Sequence, residues 1–320
     1  MRVFVVGGTG FLGWHVVRSC LERGWRATVL GLPPAPPPGL FARAVKVLTG
    51  SLDTLDDTRL RALLRGHEAL VFAAGMDERS TPQRPAYPKL HKANVEDLER
   101  VMRLAADTGV TRAVVLGSYF AHFARRWPEL GLAARHAYIR SRLEQQAVAR
   151  SVPGIDGMVV QLPYVFGALP LPGWQPLWTP LVRYLRHGQT VFYTDGGSAC
   201  ISARVAGEAV AGAIERGKAG RCYAIGQENL EWSDLLARLA RADGRRVRVL
   251  TVPESMARLG LHAVHWLQRA QGKEGGLDLR RFAKLQTARL FVDPAPARRA
   301  LGYALDDLDE ALRATVAAVP

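Results

Sequence analysis

The sequence predicts an α/β fold: a doubly wound parallel sheet with a smaller, mostly helical C-terminal region. Three observations predict it. Short apolar runs rich in β-branched residues alternate with helical patterns through the first half. A glycine-rich turn, Gly7–Gly13, joins the first run to the first helix. After Gly167 the alternation stops, and proline and tryptophan become dense.

Strands are expected at Val3–Val6, Ala27–Leu30, Val45–Leu48, Leu70–Ala73, Ala113–Leu116 and Met158–Leu162. Each is short and mostly apolar, as strands buried on both faces are. Leu12–Arg23 reads as a helix, with Val16, Val17, Cys20 and Leu21 on one face and a stop at Gly24. Asp56–Leu64 opens on acids, which suit the positive end of a helix dipole. Asn94–Thr108 stops at Gly109, and the helix Tyr138–Arg150 follows. Strand–helix alternation of this kind implies right-handed crossovers between parallel strands.

The second half is expected to carry helices at Val205–Arg216, Ser233–Ala242 and Ser255–Gln271, with a strand at Val247–Thr251. Gly157–Val182 holds no charge over 26 residues, but five prolines interrupt it. It cannot be a simple spanning helix and reads as a buried strand followed by an apolar loop. Pro33–Pro38 reads as a stiff loop after the second strand.

Composition narrows the function classes. The chain has 320 residues, 48% hydrophobic and 22% charged, which excludes a mainly disordered protein. Its 43 basic residues against 29 acidic ones give a formal charge of +14. That favours anionic ligands, but the arginines are scattered and form no nucleic-acid patch, so no nucleic-acid partner is expected. Only six of the basic residues are lysine. Cys20, Cys200 and Cys222 lie far apart, which suits a reducing cytoplasm better than a disulfide framework or a zinc site. The N-terminus lacks the long apolar run and cleavage site of a signal peptide. His262 and His265, three apart, have no evident third ligand, and no metal is expected.

The turn Val5-Val6-Gly7-Gly8-Thr9-Gly10-Phe11-Leu12-Gly13 carries the first chemistry. One glycine permits a tight turn, one lets backbone approach a pyrophosphate, and one lets the helix pack closely on the strand. The phosphates then meet the free N–H groups and positive dipole of the helix N-terminus. A dinucleotide-binding, Rossmann-type domain is therefore expected over 1–167, with 200–226 returning to it. Residues 168–199 and 227–320 are expected to bind the substrate.

The chain resembles the extended short-chain dehydrogenase/reductase family, in its epimerase/dehydratase and dihydroflavonol-reductase-like group. Beside the glycine loop, the resemblance rests on Ala73-Ala74-Gly75, Asn94-Val95, Val115-Leu116-Gly117-Ser118 and Tyr138-Ile139-Arg140-Ser141-Arg142. Leu162-Pro163-Tyr164-Val165-Phe166-Gly167 and Leu301-Gly302-Tyr303 complete it. It implies that Tyr138 is the acid/base and that Ser118 orients the substrate oxygen, with Tyr119 the rival hydroxyl. The family's Lys, four residues after the Tyr and so on the same helix face, is Arg142 here. An Arg keeps the charge that favours tyrosinate, lowering a pKa that starts near ~10, but it is bulkier and never deprotonates. Asn94 is implied either to orient groups near the nicotinamide or to cap a helix. The implied cofactor residues are Gly7, Thr9, Gly10, Phe11, Leu12, Gly13, Gly31, Ala73, Ala74, Gly75, Tyr138, Arg142 and Pro163.

The expected function is NAD(P)-dependent interconversion of a carbonyl and an alcohol, on a largely apolar small molecule. Tyr164, Phe166, Leu169, Leu171, Trp174, Leu177 and Trp178 lie in or beside the stretch that leaves the sixth strand, where a substrate must sit. Two alternatives stand beside it: a nucleotide-sugar epimerase or dehydratase, and a non-catalytic dinucleotide-binding protein with Tyr-x-x-x-Arg in place of Tyr-x-x-x-Lys. Gln161 stands where the family often has an Arg, which weakens the first. Gly31 brings no carboxylate to repel a 2′-phosphate, so NADP is expected in preference to NAD. A homodimer is left open, and no membrane span is expected.

Overall fold

Seven parallel strands form the central sheet of the computed structural model, which describes residues 1–320. Six are β1 (Arg2–Val6), β2 (Arg26–Gly31), β3 (Lys46–Thr49), β4 (Ala69–Phe72), β5 (Arg112–Ser118) and β6 (Asp156–Leu162). The seventh, Cys222–Ala224, comes from much later in the chain. The order across the sheet is Cys222–Ala224, β6, β5, β4, β1, β2, β3. The chain thus winds outward in both directions from β1. The loops leaving β1 and β4 part there and open a crevice at the carboxyl ends of the strands.

The continuous apolar runs follow from burial on two faces. Val3 and Val5 of β1 point to one layer, and Phe4 and Val6 to the other. The first layer holds Val16, Val17 and Cys20 of the helix Phe11–Glu22, with Val205 and Val210 of the helix Ala203–Arg216. The second holds Leu60 and Leu64 of Asp57–Leu64, Leu98 and Met102 of Asp97–Asp107, and Ala149 of Ala137–Ser151. Each large side chain so buried contributes about 1.5–3 kcal/mol.

The segment after residue 200 joins this body through close contact. A Cβ on Gly207 would sit 2.6 Å from the His15 carbonyl oxygen, so only glycine lets the helix Ala203–Arg216 lie against Phe11–Glu22. Strand Cys222–Ala224 then pairs with β6.

Two expectations are corrected. Asn94 does not open a helix. The helical run begins at Ala86 and continues to Asp107, with a wider π turn over Lys92–Glu96. Pro88 falls in its first turn, where a missing N–H removes no intrahelical bond. Asn94 is therefore fully buried in mid-helix, so it is not an N-cap. The C-terminal region also holds more strand than its composition suggested. Tyr164–Phe166, Gly197–Ser202, Glu228–Glu231 and Arg289–Leu290 form a small sheet, and Thr190–Thr194 pairs with Arg248–Val252. Gly-Ser-Ala-Cys-Ile-Ser and Glu-Asn-Leu-Glu lack the β-branched runs that marked the first half, whereas Arg248–Val252 is the strand expected at Val247–Thr251. The stretch after β6 is a short strand and a loop, followed by the helix Thr179–Arg186. No helix is long and apolar enough to cross a membrane.

Candidate active site

The crevice is a cavity of about 460 Å³ at the carboxyl end of the sheet. Its floor is the start of the first helix, Gly10, Phe11, Leu12 and Gly13. Gly7 holds this turn from behind with a φ of +79°, and a Cβ there would lie 2.8 Å from the Ala73 carbonyl oxygen. A Cβ on Gly13 would collide with the Gly7 carbonyl oxygen. Gly10, by contrast, has only that oxygen near its Cβ position and otherwise faces open space. No side chain caps the helix Phe11–Glu22, so its first N–H groups and its dipole are left for an anion. A dinucleotide diphosphate fits this cradle.

Ala73, Ala74 and Gly75, just beyond β4, line the next wall, and Pro163 follows β6. Gly31 and Thr9 lie outside the lining but pack on each other, because a Cβ at Gly31 would run into the Thr9 side chain. The β2 end therefore has no room for a carboxylate, and the exposed Leu32 follows it.

Ser118, Tyr138 and Arg142 meet in the same cavity. Ser118 ends β5 and caps the next helix, accepting a hydrogen bond from Phe120 N at 3.2 Å. Its own hydroxyl is turned to the Tyr138 phenol. Tyr138 is in the first turn of Ala137–Ser151 and almost fully buried. Burial pushes its phenol up to about 12; Arg142 pulls down, Glu78 pushes up, and the Ser118 hydroxyl pulls down. Burial thus outweighs Arg142, and the phenol is held protonated at neutral pH.

Arg142 is almost fully buried, with its guanidinium carbon 5.1 Å from the Tyr138 ring centre. It donates to the carbonyl of Met76 at 3.1 Å, to that of Leu116 at 3.4 Å and to Gln145 Oε1 at 3.0 Å. A shorter ammonium could not span all three acceptors. Asn94 does not line the cavity. Its Oδ1 accepts from Met76 N at 2.9 Å, and its Nδ2 donates to Met76 O and Ser141 Oγ, both at 3.1 Å. Asn94 and Arg142 thus clamp the loop after β4 to the helix that carries Tyr138.

Tyr119, the rival hydroxyl, opens a helix after β5 and touches the cavity, but its hydroxyl is paired with Ser198 Oγ at 2.8 Å. Of the expected apolar wall, Tyr164, Trp174, Leu177 and Trp178 line the cavity. Trp174 stacks on Phe11 with ring centres 5.1 Å apart. Phe166 and Leu169 are buried outside the lining, and Phe166 stacks on Trp178 at 4.6 Å. Leu171 also lies outside it.

The loop Asp77, Glu78 and Arg79 completes the wall and was not foreseen. Arg79 stands 3.6 Å from Glu78 and 5.4 Å from the Trp178 ring centre. Its signal was present: three charged residues follow directly on Ala73-Ala74-Gly75-Met76 at a strand end. The uncharged span thus receives a cation from another element. Arg186 and Arg204 are paired with Asp243 and Asp306, and neither they nor Arg183 line the cavity.

Known proteins share this chain's sequence pattern and fold. The model of the NAD dependent epimerase/dehydratase family matches residues 3–226. A 4-hydroxy-2-methyl-3-oxo-4-farnesyl-3,4-dihydroquinoline-1-oxide ketoreductase from Stigmatella aurantiaca is 26% identical over 95% of this chain and 92% of its own. A ceramide reductase from Caulobacter vibrioides is 29% identical over 52% of this chain and 46% of its own. Among solved structures, a nucleoside-diphosphate-sugar epimerase from Pseudomonas aeruginosa superposes with a TM-score of 0.73. It is 21% identical, over 99% of this chain and 96% of that one, and it shows the shared fold.

Proposed function

The chain belongs to the NAD-dependent epimerase/dehydratase family, and on that premise we propose that it is a reductase interconverting a carbonyl and an alcohol on a largely apolar small molecule. The observation that carries this reading is one cavity bringing Ser118 and Tyr138 beside the glycine cradle, under a wall of Tyr164, Trp174, Leu177 and Trp178. The names of the two relatives, a farnesyl-bearing quinoline oxide and a ceramide, point to substrates with long hydrocarbon parts. Residues 1–167 with 200–226 would hold the cofactor, and 168–199 with 227–320 the substrate.

The cofactor would lie with its diphosphate on Gly10–Gly13, its rings along Ala73–Gly75 and Pro163, and its nicotinamide end toward Tyr138 and Arg142. When bound and reduced, it supplies the hydride for the carbonyl carbon. Tyr138 gives its phenolic proton to the carbonyl oxygen, and its raised pKa keeps that proton in place at neutral pH. Ser118 donates its hydroxyl proton to the same oxygen and fixes its position. Arg142 holds positive charge beside the phenol and stabilises the tyrosinate left behind. Asn94 acts through Met76 and Ser141 and is a positioning residue.

NADP(H) is the preferred cofactor in this reading, because the Thr9–Gly31 contact leaves no room for a carboxylate against a 2′-phosphate. Nucleotide sugars fit less well. The cavity's one arginine besides Arg142 is Arg79, which stands beside Glu78.

The test follows nicotinamide absorbance with NADPH or NADH across a panel of apolar ketones, beside nucleotide-sugar binding. Consumption of NADPH with an apolar ketone, abolished by Tyr138→Phe, is the expected result. Tight binding of a nucleotide sugar with no net cofactor consumption would assign an epimerase instead.

A further inference from the structure

The helix Glu254–Ala270 has 17 residues, and none is buried. Its inward side carries Ala257, Leu261, His265 and Gln268, which are half-buried. These recur every three or four residues and so share one face, and the helix packs against Leu279–Gln286. The opposite face should be polar. It carries Met256, Leu259, Trp266 and Leu267, all exposed, with Leu259 at 75% and Trp266 at 62%, while the exposed Val264 borders the inward side next to Ala257. At 100° per residue the first four cover the outward side of the helix, with Ala263 and Ala270 between them. Phe192, also exposed, extends the apolar surface from the neighbouring strand Thr190–Thr194.

One flank of that face is basic. Arg258, His262 and Arg269 line it, and the helix has a single acid, Glu254, at its start. Beyond the flank lies a second cavity, of about 400 Å³. Arg84, Arg135, Arg269 and Lys273 line it together with Glu274 and Asp278, beside the inward residues His265 and Gln268. The Arg269 guanidinium lies 5.9 Å from the Trp266 ring centre, where the apolar face meets the basic one.

We propose that the outward face of Glu254–Ala270 docks the protein onto an anionic phospholipid bilayer. The helix would lie in the plane of the interface, with Leu259, Met256 and Leu267 among the acyl chains and Trp266 at the headgroup boundary. Arg258 and Arg269, on the flank of the apolar face, would reach the lipid phosphates. Charge selects this occupant over a second copy of the chain. A second copy would bring two chains of +14 each into contact, and an antiparallel two-fold pairing of this helix would also set its basic flank against itself. An anionic bilayer complements that flank. The inference stands apart from the substrate assigned above, because docking is read without turnover.

The experiment is vesicle flotation of the full chain. Vesicles of mixed phosphatidylcholine and phosphatidylglycerol should carry the protein upward, on the order of tenfold more tightly than phosphatidylcholine alone, and added salt should release it. Leu259→Ser combined with Trp266→Ser should abolish flotation, with melting temperature and cofactor affinity as in the parent. Arg258→Gln combined with Arg269→Gln should remove the preference for anionic vesicles. The proposal fails if the parent stays behind with anionic vesicles, or if the serine variant floats equally well. It also fails if the parent is a dimer in lipid-free solution and the serine variant a monomer, which would assign the face to a second copy.

Discussion

Two long helices, Ala137–Ser151 and Glu254–Ala270, treat polarity in opposite ways. The first buries Tyr138, Ser141, Arg142, Gln145 and Gln146, while the second buries nothing and exposes its apolar side. Hydropathy alone would have put the second in the core and the first on the surface. The first is tolerated inside because its polar atoms find partners. Ser141 Oγ donates to the Tyr138 carbonyl at 2.8 Å, and Arg142 reaches three acceptors. The account is incomplete at Arg142 Nε, Gln145 Nε2 and Gln146 Nε2, which are buried without a partner. Each such group costs about 1–3 kcal/mol. A sequence spends stability in this way where it needs chemistry, and exposes apolar surface where it needs a contact.

The sharpest break in that contrast is Tyr138→Phe. It leaves the ring in place and removes the proton donor, so turnover should fall about 10²–10⁴-fold. Titration with NADPH should give an affinity within a factor of a few of the parent's. Turnover equal to the parent's on an identified ketone would move the acid/base away from Tyr138.

Arg142→Met comes next. The methionine fills similar space but abandons the carbonyls of Met76 and Leu116 and the Gln145 amide oxygen. Denaturant unfolding should show a loss of about 2–4 kcal/mol, and kcat should fall as well. Arg142→Lys keeps the charge and should retain activity with a smaller loss of stability. Full kcat in a destabilised Arg142→Met would leave Arg142 a purely structural part.

The same contrast explains what the sequence could and could not disclose. The six strands of the first half were legible because both faces of the sheet are covered, so every position of Val3–Val6 in β1 and of β4 had to be apolar. The glycine loop was legible because Gly7 and Gly13 answer steric demands that no other residue meets. Ser118, Tyr138 and Arg142 were legible through the family resemblance, and the structure brings them into one cavity. What escaped depends on contacts remote in sequence. Asn94 looked like a helix start, yet its partners are Met76 and Ser141, 18 and 47 residues away. The Asp77–Arg79 wall depends on where the loop after β4 lies against Trp178. The helix Glu254–Ala270 was placed almost correctly, but which face looks outward is set by Leu279–Gln286.

A smaller effect is expected from acid. His136 precedes the Tyr138 helix, is almost fully buried and accepts a hydrogen bond from Asp278 N at 3.0 Å. Burial lowers its pKa to about 4, against partial recovery from Asp278. The unfolded chain therefore binds a proton between about pH 6.5 and 4 that the folded chain refuses. Stability should accordingly fall as pH drops through that window and level off below it, by on the order of 3 kcal/mol at most. His15, buried and also lowered to about 4, adds in the same direction. Thermal melts across this range should show a shallower slope for His136→Gln than for the parent. An unchanged slope would assign the acid sensitivity to His15 or to the carboxylates.

The smallest effect belongs to the other helix. Leu259 is 75% exposed, so truncating it opens no cavity and strips little surface from water. Leu259→Ser should change unfolding free energy by no more than about 0.5 kcal/mol in either direction. Serine has the lower helix propensity, by a few tenths of a kcal/mol, and that sets the expected sign toward slight destabilisation. Denaturant unfolding without lipid measures it directly. A loss well above that range would mean that Leu259 is covered in solution by another part of the protein or by a second copy. Repeating the measurement at several protein concentrations separates the two: a concentration-dependent midpoint marks a dimer. A small, concentration-independent change would leave the apolar face of Glu254–Ala270 unpartnered in solution, as docking onto a bilayer requires.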